Sequence, residues 1–475
     1  MPNELNFWDY EAWSPILIIG LLLVSMLGAH MIIRSVKPLR KMLLPSSVLA
    51  GLILLAISTA TKLIWGDYLF NLPMFSPGRN GIGILELVTY HCLGLGFVAT
   101  ALRTTEKKIN KKRAGEVFDA GVTTVLTYLL QAIFGLAVTI IAANFISGLF
   151  GGSGLLLAFG FGQGTGQALN YGNIYELDSG FVGGKSFGLT IAALGFLTAN
   201  VYGVIYMNVL KRKGKLVLPN KEDTEILSGE DVQASDEIPM ISTMDKLTMN
   251  IGIVVLVYAI SYGLMILVGN FVGEGLRATI FGFNFLFGTL LAILLKKIIG
   301  GWRKKGVVHH TYTSNFMLNR ISGLLFDIMI VAGIGAIEID LIAQYWHVLL
   351  VLAAIGGFIT FFFNLFVSRK LFSEYAYEQF FAMFGMLTGT ASTGMILLRE
   401  IDPEFKTPAA DNLIFQTLPA IVFGFPIMLL ASYIKVGGAA IYITLAALAG
   451  IFLALSVILF RRSIFQRKKI AVNKK

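Results

Sequence analysis

Charge is scarce in this chain, and so is cysteine, and each shortage removes a class of function. Charged residues make up 14% of the 475 positions, against about 25% in an average soluble domain. A chain of this size with so few charges has no polar coat to offer water. The single cysteine, Cys92, lies inside an apolar run. With no partner for it, a disulfide framework and a thiolate metal site are excluded. The opening stretch MPNELNFWDYEAW holds Glu4, Asp9 and Glu11 but no basic residue. A cleaved leader needs a positive region there, so the first apolar run is expected to be retained. No HExxH motif and no second mid-span aspartate supports an intramembrane metalloprotease or aspartyl protease.

What the chain has is apolar length. Hydrophobic residues reach 56% and mean hydropathy is +0.74. Apolar runs of about 20 residues, enough to cross a bilayer as a helix, fall near 14–33, 43–65, 81–102, 120–146, 185–209, 248–269, 277–299, 320–337, 345–367, 411–434 and 437–460. The formal charge is +10. Its basic residues sit in short clusters between these runs, as cytoplasmic loops do, so nucleic acid is not the implied partner.

Two further apolar stretches, 152–170 and 376–398, are rich in Gly, Thr, Ser and Gln, and charge parity decides their status. The clusters begin at Arg34, Arg103, Lys211, Lys296, Arg369 and Arg461. Were either stretch a full span, the Lys211 cluster or the C-terminal cluster would fall outside. Treated as re-entrant hairpins, both stretches leave all six clusters in the cytoplasm. The other face then keeps only Lys62, Arg79, Arg277 and Lys435. The N-terminus is placed outside and the C-terminus in the cytoplasm, in a bacterial inner membrane.

This layout repeats itself. Spans six to ten begin 225 to 239 residues after spans one to five. Each half is four spans, a Gly/Thr-rich hairpin and a fifth span, and an odd number per half inverts the second copy. The predicted fold is therefore an all-α polytopic membrane protein of about 11 transmembrane helices, with two inverted-topology five-span repeats that each carry a re-entrant hairpin. Residues 1–210 form the first repeat, 211–246 a polar cytoplasmic linker, 247–434 the second repeat, and 435–475 an extra span with a basic tail. Secondary transporters recur in this architecture, with broken helices meeting near the midplane; a channel can share it.

The hairpins carry the chemistry. The first reads FGFGQGTGQALN, from Phe159 to Asn170. Irregular backbone at membrane depth has to be buried in protein or line a wet cavity. Glycines permit a ligand to approach the backbone, and helix N-termini favour anions. Gly162, Gln163, Gly164, Thr165 and Gly166 are the substrate-binding candidates there. In the second hairpin, Thr390, Ser392, Thr393 and Gly394 join them, and Arg399 could grip a carboxylate through two parallel bonds. Arg399 could equally mark a limb's end and pair with Asp402 or Glu404. Hydroxyl and carbonyl oxygens suit Na⁺, which makes Thr388, Thr390 and Ser392 sodium candidates. Asp327 joins them, because a mid-span carboxylate is functional by default; the structural alternative is a pair with Gln131. For the hairpin motifs, the structural alternative is close helix packing by small residues. Glu86 and His91 share the third span, and His91 reads as a packed core histidine or a proton relay. Lys185 can snorkel to the surface.

Several segments resemble the bacterial sodium/glutamate symporter family. They are Gly162-Gln163-Gly164-Thr165-Gly166, the stretches LLPSSVLAGLILL from Leu43 and CLGLGFVATALR from Cys92, and Gly389-Thr390-Ala391-Ser392-Thr393-Gly394. The resemblance covers about ten spans. It implies sodium coupling, glutamate or a related amino or dicarboxylic acid as substrate, a homodimer, and an elevator-like exchange in which a core carrying both hairpins slides against a scaffold. The chain departs from the family pattern at Gln163, where a histidine is usual, at Ser392, where a proline is usual, and in its eleventh span. No cofactor beyond the coupling ion is implied.

Two other motifs compete. Gly183-Gly184-Lys185-Ser186 looks like the end of a phosphate-binding loop, but Ser179 stands where that motif needs its first glycine. Gly151-Gly152-Ser153-Gly154 fits the GxSG of an intramembrane serine protease, with His347 as a conceivable base. That reading leaves the repeat unexplained. A sodium-coupled symporter, not an enzyme, is the expected function, with the protease and a passive anion channel as the alternatives.

Overall fold

The computed structural model describes residues 6–78, 80–103, 111–216, 244–306, 311–403 and 405–461. No strand occurs among them. Among the described residues, eleven helical stretches are long and apolar enough to cross a bilayer, and the protein is an all-α multi-pass membrane protein. The chain opens with α1 (Tyr10–Ser35), α2 (Ser46–Trp65), α3 (Gly81–Leu102) and α4 (Lys111–Ala142). A broken pair follows, α5 (Leu156–Gln163) and α6 (Thr165–Ser179), and then α7 (Gly184–Arg212). Next come α8 (Lys246–Val272), α9 (Glu274–Gly282), α10 (Asn284–Lys304), α11 (Asn315–Gly335) and α12 (Trp346–Leu371). The second broken pair is α13 (Ala376–Thr388) and α14 (Ala391–Arg399). The chain closes with α15 (Ala409–Phe415), α16 (Thr417–Tyr433) and α17 (Ala439–Leu459).

Three elements differ from the sequence expectation. The first Gly-rich stretch does not stop near residue 170, because α6 runs on to Ser179 and ends on Gly180 in the left-handed conformation, φ 65°. Asn173, Glu176 and Asp178 give this limb a loop-like composition. Its buried face of Tyr171, Ile174 and Tyr175 nevertheless keeps the helical i, i+3, i+4 spacing. The run expected at 277–299 is two helices, α9 and α10. At their junction the Asn284 amide turns aside to the Tyr90 carbonyl at 3.0 Å and the Tyr258 hydroxyl at 3.2 Å. The run expected at 411–434 is likewise α15 followed by α16. The linker expected at 211–246 lies mostly outside the described residues. Where the chain resumes, the Asp245 carboxylate caps α8 by accepting the Thr248 N–H at 3.1 Å.

The helices form two compact units. One holds α1 through Ala29, then α2, α3 and α8 to α11, up to Ala336. Small residues set its packing. A Cβ on Gly51 of α2 would stand 2.7 Å from Cβ of Ile334, and one on Gly96 of α3 would stand 2.6 Å from the Phe326 ring of α11. Val98, Leu102, Val254, Val257 and Leu318 form a buried cluster in this unit.

The second unit holds α4, both broken pairs, α7, α12 and α15 to α17. The limbs are locked to their neighbours at bare backbone. Gly172 and Gly188 bring α6 and α7 together, and a Cβ on either would come within 2.5 Å of a main-chain oxygen on the facing helix. The Tyr171 and Tyr175 hydroxyls donate to the Met428 and Ala431 carbonyls of α16, at 3.1 and 3.2 Å. α17 is tied to α4 where Arg461 meets Asp119 at 3.1 Å. Each unit draws helices from both halves of the chain. These units are therefore a spatial grouping distinct from the sequence segments 1–210 and 247–434.

Candidate functional site

Each broken pair interrupts itself at a glycine. Between α5 and α6, Gly164 has φ 80° and ψ −169°, a region that residues with a Cβ avoid. Between α13 and α14, Gly389 has φ −144° and ψ −109°, and Thr390 is extended, at φ −138° and ψ 171°. The two interruptions meet. A Cβ on Gly164 would stand 3.5 Å from Cγ2 of Thr390 and 3.9 Å from the Gly389 carbonyl oxygen.

Four helix ends therefore share one region of the second unit. α6 and α14 begin there, and neither start has a side-chain cap. A helix start leaves up to four N–H groups without an intrahelical partner and carries the positive end of the helix dipole. Two such starts make an anion-binding arrangement. α5 and α13 end there, presenting carbonyls and the negative end of the dipole.

The structure sorts the sequence candidates. Gly164, Thr165 and Gly166 are buried at the start of α6, and Gln163 is half-buried at the end of α5. Thr390 is half-buried and Ser392 exposed, so the second break opens at that point. Thr393 is buried with its hydroxyl 3.5 Å from that of Thr390. Thr388 spends its hydroxyl on the Phe384 carbonyl at 2.7 Å. Two of the glycines serve packing. A Cβ on Gly162 would enter the Tyr128 ring, and Gly394 lies against Gly385 where the limbs of α13 and α14 cross.

Two candidates fall elsewhere. Arg399 is exposed on the last turn of α14 with its guanidinium 5.6 Å from the Phe405 ring centroid. Eight residues of helix, about 12 Å at the α-helical rise, separate it from Ala391. Of its expected partners, Asp402 instead accepts the Lys406 and Thr407 N–H groups, each at 2.9 Å, and Glu404 lies outside the described residues. Asp327 belongs to the first unit, half-buried on α11, whereas Thr388, Thr390 and Ser392 belong to the second. Gln131, the structural alternative as the partner of Asp327, belongs to the second unit. Gln131 gives its amide hydrogens to Thr360 Oγ1 at 2.9 Å and the Leu387 carbonyl at 2.8 Å. Asp327 instead interacts with Ser47 of α2, although the Ser47 hydroxyl makes no well-formed hydrogen bond.

Among the other residues singled out, His91 is exposed on α3 with Nδ1 3.0 Å from the Tyr258 hydroxyl. The Lys185 N–H donates to Glu176 at 3.1 Å. Ser153 is fully buried, its hydroxyl has no hydrogen-bond partner, and the His347 ring packs on Trp346 at 3.5 Å between centroids. No Ser–His hydrogen bond is made.

Sequence reasoning did not bring together the neutral polar side chains of α4 and α12 beside the breaks. Thr127 and Gln131 on α4 and Thr360 and Asn364 on α12 are all fully buried. Gln167, in the first turn of α6, is 1% exposed with both ends of its amide unpartnered. Asn364 donates to the Thr360 carbonyl at 2.9 Å and Thr127 Oγ1 at 3.3 Å. The available signal was an amide alone in an otherwise apolar span. No protein-family model matches the chain, and no curated protein matches it.

Proposed function

We propose that the protein is a sodium-coupled secondary transporter importing a small organic anion, glutamate or a related amino or dicarboxylic acid. The observation that carries this reading is the meeting of Gly164 with Thr390. It places two uncapped helix starts together inside a membrane protein, and half-helix N-termini are the usual device for holding an anionic group at membrane depth. Gln167 supports it, as a buried amide that offers both a donor and an acceptor to a ligand. The resemblance to the sodium/glutamate symporters at Gly162–Gly166 and Gly389–Gly394 supplies the substrate class.

Both broken pairs lie in one compact unit. In the proposed mechanism that unit carries the substrate as one body, in an elevator-like exchange, within a homodimer in the bacterial inner membrane. The basic clusters support an N-terminus outside and a C-terminus inside. Moving one charge across 100 mV is worth about 2.3 kcal/mol. A monovalent anion entering a negative interior therefore needs at least two Na⁺ for the voltage to assist.

The experiment is uptake of labelled glutamate into proteoliposomes. Uptake should require an inward Na⁺ gradient and accelerate when the interior is negative. Equal uptake in potassium or choline would remove the symport reading. Ser153→Ala should leave uptake intact, whereas the serine-protease alternative requires that hydroxyl.

A further inference from the structure

We infer that the crossing of α4 and α12 is a binding site for a dehydrated, hard monovalent cation such as Na⁺, held by Gln131 Oε1 and Asn364 Oδ1. The inference rests on the transport reading only for its role in coupling. Binding itself follows from the unmet oxygens.

The orientation of each amide is fixed by what its nitrogen does. Gln131 Nε2 donates to the Leu387 carbonyl and Asn364 Nδ2 to the Thr360 carbonyl. Turning either amide round would set oxygen against carbonyl oxygen, so the donors stay where they are and the oxygens face away. Both oxygens are buried and neither has a hydrogen-bond partner. Both amides close on Thr360, one through its hydroxyl and the other through its carbonyl. An acceptor left unmet in a dry interior costs free energy, and two on facing helices ask for a ligand that satisfies acceptors.

The local field selects a cation for that ligand. A Cβ on Gly162 would stand 3.3 Å from Gln131 Oε1, so the C-terminal end of α5 lies beside this oxygen. Leu387, bonded to the same side chain, is in the last turn of α13. Two helix C-termini, each carrying the negative end of its dipole, thus converge on Gln131. The donor set is neutral and all oxygen, which suits a hard monovalent cation; among the described residues no group of three His, Cys, Asp or Glu forms a transition-metal site. Cation and anion then occupy opposite ends of the same breaks, the cation at the helix ends of α5 and α13 and the anion at the helix starts of α6 and α14.

The test is thermal unfolding of the purified full-length protein in detergent, with no organic anion, titrated with NaCl, KCl or choline chloride at constant ionic strength. A saturable rise in Tm with Na⁺ that choline does not reproduce is expected. Gln131→Leu and Asn364→Leu each remove one free oxygen and should weaken apparent Na⁺ affinity by about tenfold. Gln379→Leu, which alters another buried and partly unsatisfied amide of the same unit, should leave the Na⁺ response unchanged. Should the leucine variants fail to fold, Asn364→Ser removes the free amide oxygen with a smaller polar side chain, and its Tm should rise less on replacing choline by Na⁺ than that of the wild type. Equal Tm in all three salts for the wild type, or a Na⁺ response in Asn364→Ser equal to that of the wild type, overturns the site. Stabilisation by glutamate with no response to Na⁺ also overturns it, while leaving the anion reading in place. A Na⁺ response with no response to any organic anion sustains the cation site and removes the proposed substrate.

Discussion

Tyr128 donates its hydroxyl hydrogen to the Gly162 carbonyl at 3.0 Å, and its ring fills the space where a side chain on Gly162 would go. The tyrosine of α4 thus holds the end of α5 by a bond and by its bulk together. Gly162→Ala should therefore destabilise the protein through overpacking, by about 1–3 kcal/mol. Tyr128→Phe loses only the hydrogen bond, about 0.5–1.5 kcal/mol. Thermal unfolding of the two variants in detergent decides; an alanine variant as stable as the wild type would show that the ring can move aside.

Gly164 should behave differently. Nothing crowds a Cβ there, since Thr390 lies at an ordinary contact distance of 3.5 Å, but its φ of 80° does not suit an L side chain. Gly164→Ala should lose about 1–3 kcal/mol of stability, because that combination of φ and ψ is essentially confined to glycine, and should lower apparent substrate affinity in uptake assays. Binding unchanged in a folded Gly164→Ala variant would place the anion away from this break.

The fold was legible because the bilayer restricts what the chain can do. With no water to satisfy backbone groups, an apolar run of span length has to be a helix, and the runs from 14–33 to 437–460 reappear as helices. The breaks were legible as well, since Gly164 and Gly389 stand in Gly/Thr-rich stretches that no span would favour. What sequence did not show was that α6 continues past Asn170, because its buried tyrosines are interleaved with acidic residues. Nor did it reveal the Gln131–Asn364 crossing. Those residues are 233 positions apart in the numbering and carry no motif, and only the packing of α4 on α12 brings their amides to one threonine. Asp327 attracted attention for its charge, yet neutral amides occupy the breaks.

Arg399 gives a sharp contrast between two chemical roles. A ligand for carboxylate depends on the paired geometry of a guanidinium, which lysine does not reproduce. A surface cation stacked on Phe405 needs only positive charge and a hydrophobic stem. Its exposure at the far end of α14 points to the second role. Arg399→Lys should keep normal apparent substrate affinity in proteoliposomes, and a tenfold or greater weakening would return it to the binding site.

The charge-derived orientation can be checked by labelling. Cysteines introduced at Gly78 and Asn270, both exposed, should react with an impermeant maleimide from outside intact cells. One at the exposed Lys213 should react only after permeabilisation. For these measurements Cys92, which is buried, is replaced by serine or shown to be silent. External labelling at Lys213 would mean that α5 and α6 together cross the membrane.

Asp327 places a carboxylate in the middle of α11, within the first unit. Its electrostatic neighbour is the Ser47 hydroxyl of α2, which has no well-formed hydrogen bond of its own. Asparagine keeps the shape and can still meet a hydroxyl, so Asp327→Asn removes charge while leaving the α2–α11 contact in place. Holding a charge at membrane depth costs about 2.5–3.5 kcal/mol on insertion scales, and neutralising it should leave Tm equal or raised. If the charge serves transport, uptake per folded molecule should fall while stability holds, and the Na⁺ concentration for half-maximal uptake should rise. A variant with lowered Tm and unchanged specific uptake would assign Asp327 to packing, through Ser47, and remove it from the transport cycle.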